Sequence, residues 1–169
     1  MKKAVFLDRD GIINIDKSYV YKIEDFEFNE GVFEVLRYLK RLGYLLFIVT
    51  NQSGIGRGYY SESDFLKLTN WMLDEFKFQG IDIQRVYYCP HSPESNCLCR
   101  KPKIGMFEKA FSEYSIDKKN SWMIGDKPSD IKAGKKAGLS TIFLNSSTTY
   151  KDALFNIQKV LDIVQIIRK

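Results

Sequence analysis

Short apolar runs that stop at charged or glycine-containing turns alternate along this chain with stretches of helical periodicity. Ala4–Leu7 is continuously apolar and runs into Asp8-Arg9-Asp10-Gly11, the pattern of a buried parallel strand and the turn after it. Val32 to Leu42 carries apolar residues at 32, 33, 35, 36, 39 and 42, a helix that Gly43 ends. Tyr44–Val49 reads as a second buried strand stopping at Thr50-Asn51. Ser61, with Asp64 three residues later, marks the N-cap of a helix that extends to about Phe78 and closes at Gly80. Val86–Tyr88 belongs to a third strand, which stops at Cys89-Pro90, and Pro102 predicts the first turn of a helix running to about Tyr114. Trp122–Ile124 is a fourth strand before Gly125-Asp126. A helix over about Pro128–Ala137 and a fifth strand at Thr141–Leu144 follow. Apolar residues at 154, 157, 160, 161, 164 and 167 predict an amphipathic C-terminal helix.

This alternation predicts an α/β fold, a Rossmann-like doubly wound parallel sheet with helices on both faces. Ligands of such sheets gather outside the carboxyl ends of the strands. Four of those ends carry polar signals here: Asp8-Arg9-Asp10, Thr50-Asn51, Cys89 and Asp126. The length of 169 residues suits a single domain over 1–169, without internal repeat, low-complexity tract or linker.

Composition narrows the chemistry. The net charge of +5 suits an anionic ligand such as a phosphorylated metabolite. No dense Lys/Arg run points to nucleic acid; the basic stretches are as short as Lys132–Lys136. The apolar run at the N-terminus is too short for a signal segment or a membrane span, so a cytoplasmic protein without a membrane partner is expected. One His and three Cys lie between Cys89 and Cys99, which excludes a Ser-His-Asp or Cys-His arrangement elsewhere and argues against a disulfide framework.

Asp8 and Asp10, two apart in an extended segment, should project to one side with Arg9 pointing away. Such a pair can hold a hard cation such as Mg²⁺, or act as nucleophile and acid–base. Asp126, with Asp130 in the first turn of the next helix, offers further oxygen ligands, although Asp130 also suits a helix start. Thr50-Asn51-Gln52-Ser53-Gly54 supplies a hydroxyl and backbone N–H groups for phosphate oxygens, and Arg100-Lys101-Pro102 adds two cations before a helix. Cys89-Pro90-His91 and Cys97-Leu98-Cys99 form two ligand clips separated by five residues. Three thiolates and one imidazole predict a closed structural Zn²⁺ site in a loop over 89–99. Its expected task is to fix the segment that aims Arg100 and Lys101.

Asp8-Arg9-Asp10-Gly11, Thr50, Lys101 and Gly125-Asp126-Lys127-Pro128-Ser129-Asp130 together resemble the four motifs of the haloacid dehalogenase superfamily phosphatases. Leu7–Asn14, Tyr19-Val20, Asp25–Phe28, Thr50–Ile55 with Arg57-Gly58, and Cys99–Pro102 resemble most the capless, zinc-containing branch. That branch includes heptose 1,7-bisphosphate and histidinol-phosphate phosphatases. The likeness covers about residues 4 to 145. It implies a haloacid dehalogenase-like fold without a cap domain, and catalysis by Asp8, Asp10, Thr50 and Lys101. Mg²⁺ would be held by Asp8, Asp10 (through its backbone carbonyl) and Asp126, with Asp130 as a possible neighbour behind them. Asp16, Tyr19, Asn51, Gln52, Ser53, Arg100 and Lys127 would bind substrate. Asp8 would be the nucleophile, Asp10 the acid and base, and Thr50 and Lys101 would hold the phosphoryl oxygens. The implied substrate is a small phosphorylated sugar, heptose 1,7-bisphosphate losing its 7-phosphate in the making of nucleotide-activated heptose for surface polysaccharide, and a monomer is expected. The short gap between His91 and Cys97 is the one feature that favours histidinol phosphate, against Tyr19-Val20, Phe26-Glu27-Phe28 and Ser53-Gly54-Ile55, which resemble the heptose type. A polynucleotide 3′-phosphatase and a non-catalytic phosphate-binding module are the remaining readings.

Overall fold

Ala4–Leu7, four apolar residues with no polar side chain among them, form strand β1 in a computed structural model that describes residues 1–168. Five further strands join it: β2 (Leu45–Asn51), β3 (Ile83–Cys89), β4 (Trp122–Gly125), β5 (Ser140–Leu144) and β6 (Phe155–Ile157). All pairings are parallel and the strand order is β3-β2-β1-β4-β5-β6. The order reverses between β1 and β4, which opens a crevice at their carboxyl ends where a ligand can enter the edge of the sheet.

Among the described residues there are six helices, α1 (Val32–Arg41), α2 (Ser53–Gly56), α3 (Glu62–Phe78), α4 (Gly105–Glu113), α5 (Pro128–Lys136) and α6 (Ile163–Ile166), and all but the short α2 pack on the sheet. Alternation along the strands divides the core in two. Val5, Leu7, Leu46, Ile48, Ile124 and Ile142 pack with Val35 and Leu39 of α1, Leu68, Met72 and Phe76 of α3, and Ile163 of α6. Ala4, Phe6, Phe47, Val49 and Met123 face the other way, onto Met106, Phe107 and Ala110 of α4 and Ala133 of α5. The strands are apolar on both faces because both faces are covered. At the start of α3, Asp64 N donates to Ser61 Oγ at 3.0 Å and Ser61 N to Asp64 Oδ2 at 2.9 Å, so the expected cap is present.

Two elements differ from the sequence reading. The C-terminal amphipathic helix is instead the edge strand β6, a 3₁₀ turn at Val160–Asp162 and the single turn of α6. Phe155–Ile157 pairs with Ile142–Leu144, completing the backbone hydrogen bonds of β5, and the Asp162 carboxylate caps the N–H groups of Gln158 and Lys159. Ile157, Val160, Ile163 and Ile167 are all buried, so the three-to-four spacing marked a buried face laid along a strand and tight turns as much as along a helix. The helix expected from Pro102 starts only at Gly105. Arg100–Lys103 forms a turn, with Lys103 N donating to Arg100 O at 2.8 Å, and Gly105 packs its Cα against the Leu98 carbonyl. Among the described residues, no helix is long and apolar enough to cross a membrane.

Candidate active site

Each strand that reaches the crevice ends in a polar residue, so the backbone register delivers the site. Asp8 and Asp10 follow β1, Thr50 and Asn51 end β2, and Asp126 follows β4. Asp130 occupies the first turn of α5, where its Oδ2 accepts from Lys127 N at 3.0 Å. One oxygen each of Asp8, Asp126 and Asp130 lies within 4.8 Å of the others. That is a set of hard oxygen donors suited to a divalent cation.

Lys101 closes the cluster. Its Nζ donates to Asp8 Oδ1 at 2.9 Å, pairs with Asp130 Oδ1 at 2.7 Å and donates to Val49 O at 2.7 Å. Lys101, Asp8 and Asp130 are all buried. Burial alone would lower the Lys101 ammonium, but the carboxylates of Asp130 and Asp8 outweigh it and hold it raised, so it stays charged. Burial pushes Asp8 well above the usual carboxylate range, with Asp130 adding to the effect and Lys101 opposing it. Asp126 is raised chiefly by burial, against the pull of Lys127. Three acids against two lysines, Lys101 and Lys127, leave surplus negative charge at low dielectric, which a bound cation would relieve.

Asp10 stands apart from this cluster. Its Oδ1 accepts from Arg9 Nη2 and Asn14 Nδ2, both at 3.0 Å, and its Oδ2 from Arg9 Nε and Gln52 Nε2, both at 3.2 Å. Arg9 therefore does not point away from its neighbours. Ile13 and Asn14 bond back to Arg9 O, which ends the extended conformation and with it the strict alternation of side chains. The buried Arg9 also donates to Val20 O and lies against the rings of Phe26 and Phe65. Four donors occupy the Asp10 carboxylate, which is why it is not one of the three acids of the cluster.

Gly11 sets how closely the first loop meets Asp126. Its φ is +98° and a Cβ there would collide with the Asp126 carboxylate. Gly11→Ala is expected to cost about 1–3 kcal/mol of stability from the left-handed backbone and the clash. It is also expected to weaken Mg²⁺ binding about tenfold, as about 1.4 kcal/mol of ligand displacement dictates. Thermal denaturation in EDTA and calorimetric Mg²⁺ titration measure the two effects, and unchanged values in both would show that the contact does not matter.

The loop after β3 holds a second cluster. Cys89 Sγ lies 3.5 Å from both Cys97 Sγ and His91 Nδ1, and His91 Nδ1 lies 3.2 Å from Cys99 Sγ. The edges of a zinc tetrahedron with bonds of about 2.0–2.3 Å are of this size, so the four donors fit Zn²⁺ with no position left open. The three cysteines form no disulfide. Lys103 Nζ braces the loop through Asn96 Oδ1 at 2.9 Å and Cys97 O at 2.6 Å. Two residues past Cys99, Asn51 clamps the main chain of Lys101, accepting from its N–H at 3.0 Å and donating to its carbonyl at 3.2 Å.

A cleft of about 280 Å³ opens over these groups. Asp8, Asp10, Asp16, Tyr19, Asn51, Gln52, Ser53, Arg100, Lys101, Lys127 and Asp130 line it, which unites nearly all the residues expected from sequence. Thr50 and Asp126 are the exceptions. Thr50 is fully buried beneath Gln52, whose Nε2 donates to Thr50 Oγ1 at 2.8 Å, and Asp126 meets the lining through Lys127. At the rim, Lys127 Nζ bridges Asp16 Oδ2 at 3.1 Å and Asp126 Oδ2 at 3.2 Å. Ser18, within the expected stretch 16–19, lines the cleft too; Tyr60 and Ser129 also line it and were missed, as were Asn14 and Arg9 in holding Asp10. Asn14 had a signal, a lone amide inside the run Ile12-Ile13-Asn14-Ile15; Tyr60 had none.

Residues 98–165 match a family model described as HAD-hydrolase-like. The D-glycero-alpha-D-manno-heptose-1,7-bisphosphate 7-phosphatase of Campylobacter jejuni is 60% identical over 142 residues, 84% of this chain and 81% of that protein. The D-glycero-beta-D-manno-heptose-1,7-bisphosphate 7-phosphatase of Pasteurella multocida is 44% identical over 99% of this chain and 98% of its own. Among solved structures, the D,D-heptose 1,7-bisphosphate phosphatase of B. bronchiseptica, complexed with magnesium and phosphate, superposes with a TM-score of 0.86. It is 23% identical and covers 95% of each chain, a likeness of fold.

Proposed function

The chain belongs to the D-glycero-D-manno-heptose-1,7-bisphosphate 7-phosphatase family of HAD-like hydrolases, and from that premise we propose how its own residues carry the reaction. The substrate is the heptose 1,7-bisphosphate and the bond cleaved is the 7-phosphate ester, in the cytoplasmic synthesis of nucleotide-activated heptose for surface polysaccharide. The observation that carries the reading is Lys101, bonded at once to Asp8 and Asp130 inside a cluster of three carboxylates at the strand-order reversal.

Asp8 attacks phosphorus in line and becomes an acyl phosphate as the sugar oxygen leaves. Lys101 holds the transferring oxygens from one side and the Thr50 hydroxyl from another. Asp10 gives its proton to the leaving oxygen, then takes one from the water that hydrolyses the acyl phosphate. Asp8, Asp126 and the Asp10 carbonyl would hold Mg²⁺, which when bound would neutralise charge on the phosphoryl group. Asp130 anchors Lys101 and the start of α5 behind them. Arg100 and Lys127 give the rim the positive charge a bisphosphate requires, beside Asp16, Tyr19, Asn51 and Ser53. Cys89, His91, Cys97 and Cys99 would hold a structural Zn²⁺. The domain works as one unit, 1–169, and as a monomer.

Heptose 1,7-bisphosphate of either anomeric configuration and histidinol phosphate, assayed side by side with Mg²⁺, test the assignment. Phosphate release from the better heptose anomer is expected to exceed that from histidinol phosphate by at least about 100-fold in kcat/KM, and to leave the 1-phosphate in place. EDTA should stop it. Preference for histidinol phosphate would overturn the substrate reading.

A further inference from the structure

We propose that Gln52, locked by Tyr60, is the positioning residue that ties the acid–base Asp10 to the phosphoryl-holding Thr50 and points the Thr50 proton at the phosphate. The proposal deepens the phosphatase reading and rests on it. Gln52 belongs to the loop expected from sequence to bind substrate, yet it is 3% exposed and its amide is fully engaged within the protein. Nε2 donates to Thr50 Oγ1 at 2.8 Å and to Asp10 Oδ2 at 3.2 Å, which uses both of its protons. Oε1 accepts from the Tyr60 hydroxyl. The chemistry of the partners fixes the sense of the amide: the end facing a carboxylate must be the nitrogen, and the end facing the phenol is the oxygen.

Tyr60 is itself immobilised. Its ring stacks on Tyr21 at 5.0 Å with planes 9° apart, and Gly54 lies so close that any side chain there would strike the ring. Burial pushes the Tyr60 hydroxyl up to about 12, against the pull of Arg9, so it remains a donor at working pH. The main chain of Gln52 is pinned as well, its N–H donating to Cys89 O at 2.8 Å.

The consequence falls on Thr50. A hydroxyl has one proton, and an oxygen that accepts from Gln52 directs that proton elsewhere. Among the described residues the Thr50 hydroxyl donates to no protein acceptor, which leaves its proton for the phosphoryl oxygen of the bound substrate. The same amide nitrogen holds Asp10 Oδ2, so one planar group sets the separation between proton donor and phosphoryl holder. This alignment matters at the transition state more than in substrate binding, because proton transfer tolerates little misplacement.

Two substitutions test it, with heptose bisphosphate and p-nitrophenyl phosphate as substrates. Tyr60→Phe keeps the ring stack and frees the amide to turn; kcat should fall about tenfold with KM within about twofold. Gln52→Glu keeps the shape but accepts where Gln52 donates. It should draw the Thr50 proton inward and repel Asp10, lowering kcat about 50-fold at similar KM. Melting temperatures of both variants should stay within about 3 °C of the parent. Unchanged kcat in either variant, or a loss of activity that tracks a rise in KM and a lower melting temperature, would overturn the proposal. A parent active on p-nitrophenyl phosphate but not on the heptose overturns the substrate assignment alone, since the kcat split is then read on the aryl ester. A parent inactive on both sinks the phosphatase reading and the proposal together.

Discussion

Asp8→Asn is expected to abolish phosphate release while leaving the protein as stable as before or more so. The asparagine oxygen can still accept from Arg9 N–H and from Lys101 Nζ, the two donors that now meet Asp8 Oδ1 at 2.9 Å each. An amide oxygen is too weak a nucleophile to form the acyl phosphate, so the rate should fall by at least about 10³-fold. Stability moves the other way. Burial raises Asp8 well above the ordinary carboxylate range, with repulsion from Asp130 adding to it despite Lys101. A folded value above the unfolded one means that the folded state binds the extra proton. Stability contributed by this group is therefore fully present below the unfolded value and lost as pH rises through the folded one. A neutral asparagine escapes that loss. In EDTA near neutral pH the variant should melt at the parent temperature or a few degrees above it, about 2–4 °C for each kcal/mol in a chain of this size. Scanning calorimetry with a phosphate-release assay reads both quantities. An active variant would refute Asp8 as the nucleophile, and an inactive one that melts far below the parent would show the loss to be one of folding.

The strand ends of this site were legible because the strands are short and apolar on both faces. A run such as Ala4–Leu7, too short for a helix and bounded by a charged turn, reads as a buried strand, so the first polar residue after it emerges at the edge of the sheet. The same logic placed Thr50 and Asp126, and the cysteine–histidine spacing placed the second cluster without knowledge of the fold. What stayed hidden depends on contacts between distant segments. Lys101 meets Asp8 across 93 residues, Val49 across 52 and Asn51 across 50, and no local pattern encodes such distances. Gln52 is chemically indistinguishable in sequence from a residue facing substrate; only its burial under Tyr60 shows that its partners are Thr50 and Asp10. Arg9 follows the same rule, since a charge beside two aspartates reads as solvent-facing until Phe26 and Phe65 are seen around it. Strand β6 was concealed for another reason. A buried face recurring every three to four residues does not distinguish a helix from a strand followed by a 3₁₀ turn, and the deciding factor was the unpaired edge of β5.

Loss of the Zn²⁺ that we propose for Cys89, His91, Cys97 and Cys99 is expected to silence the enzyme without unfolding its sheet, because their loop rests on the same segments that aim the catalytic groups. Cys89 is the last residue of β3 and its carbonyl takes the N–H of Gln52. Cys99 stands two residues before Lys101, whose main chain is clamped by Asn51. Gly56 packs against the backbone of Pro90, His91 and Ser92 with no room for a side chain, so the loops after β2 and β3 cannot move independently. Three sulfurs and a ring nitrogen held 3.2–3.5 Å from their neighbours lose their common ion once the cation leaves, and weak S–H and N–H contacts are all that replace four metal bonds. The loop should spread, carrying Arg100 and Lys101 with it. Cys97→Ser is the variant of choice, because Cys97 is only half-buried whereas Cys89 belongs to the core beneath α4. Its kcat/KM should fall at least about 100-fold, the size of loss that follows misplacing a charged group at the transition state by about 1 Å. Far-ultraviolet circular dichroism should be retained, and limited proteolysis should cut between residues 90 and 100. In the parent stripped by a chelator, added Zn²⁺ should restore activity when Mg²⁺ is present, and Mg²⁺ alone should not. Full activity in protein shown by metal analysis to hold no zinc would separate the cluster from catalysis.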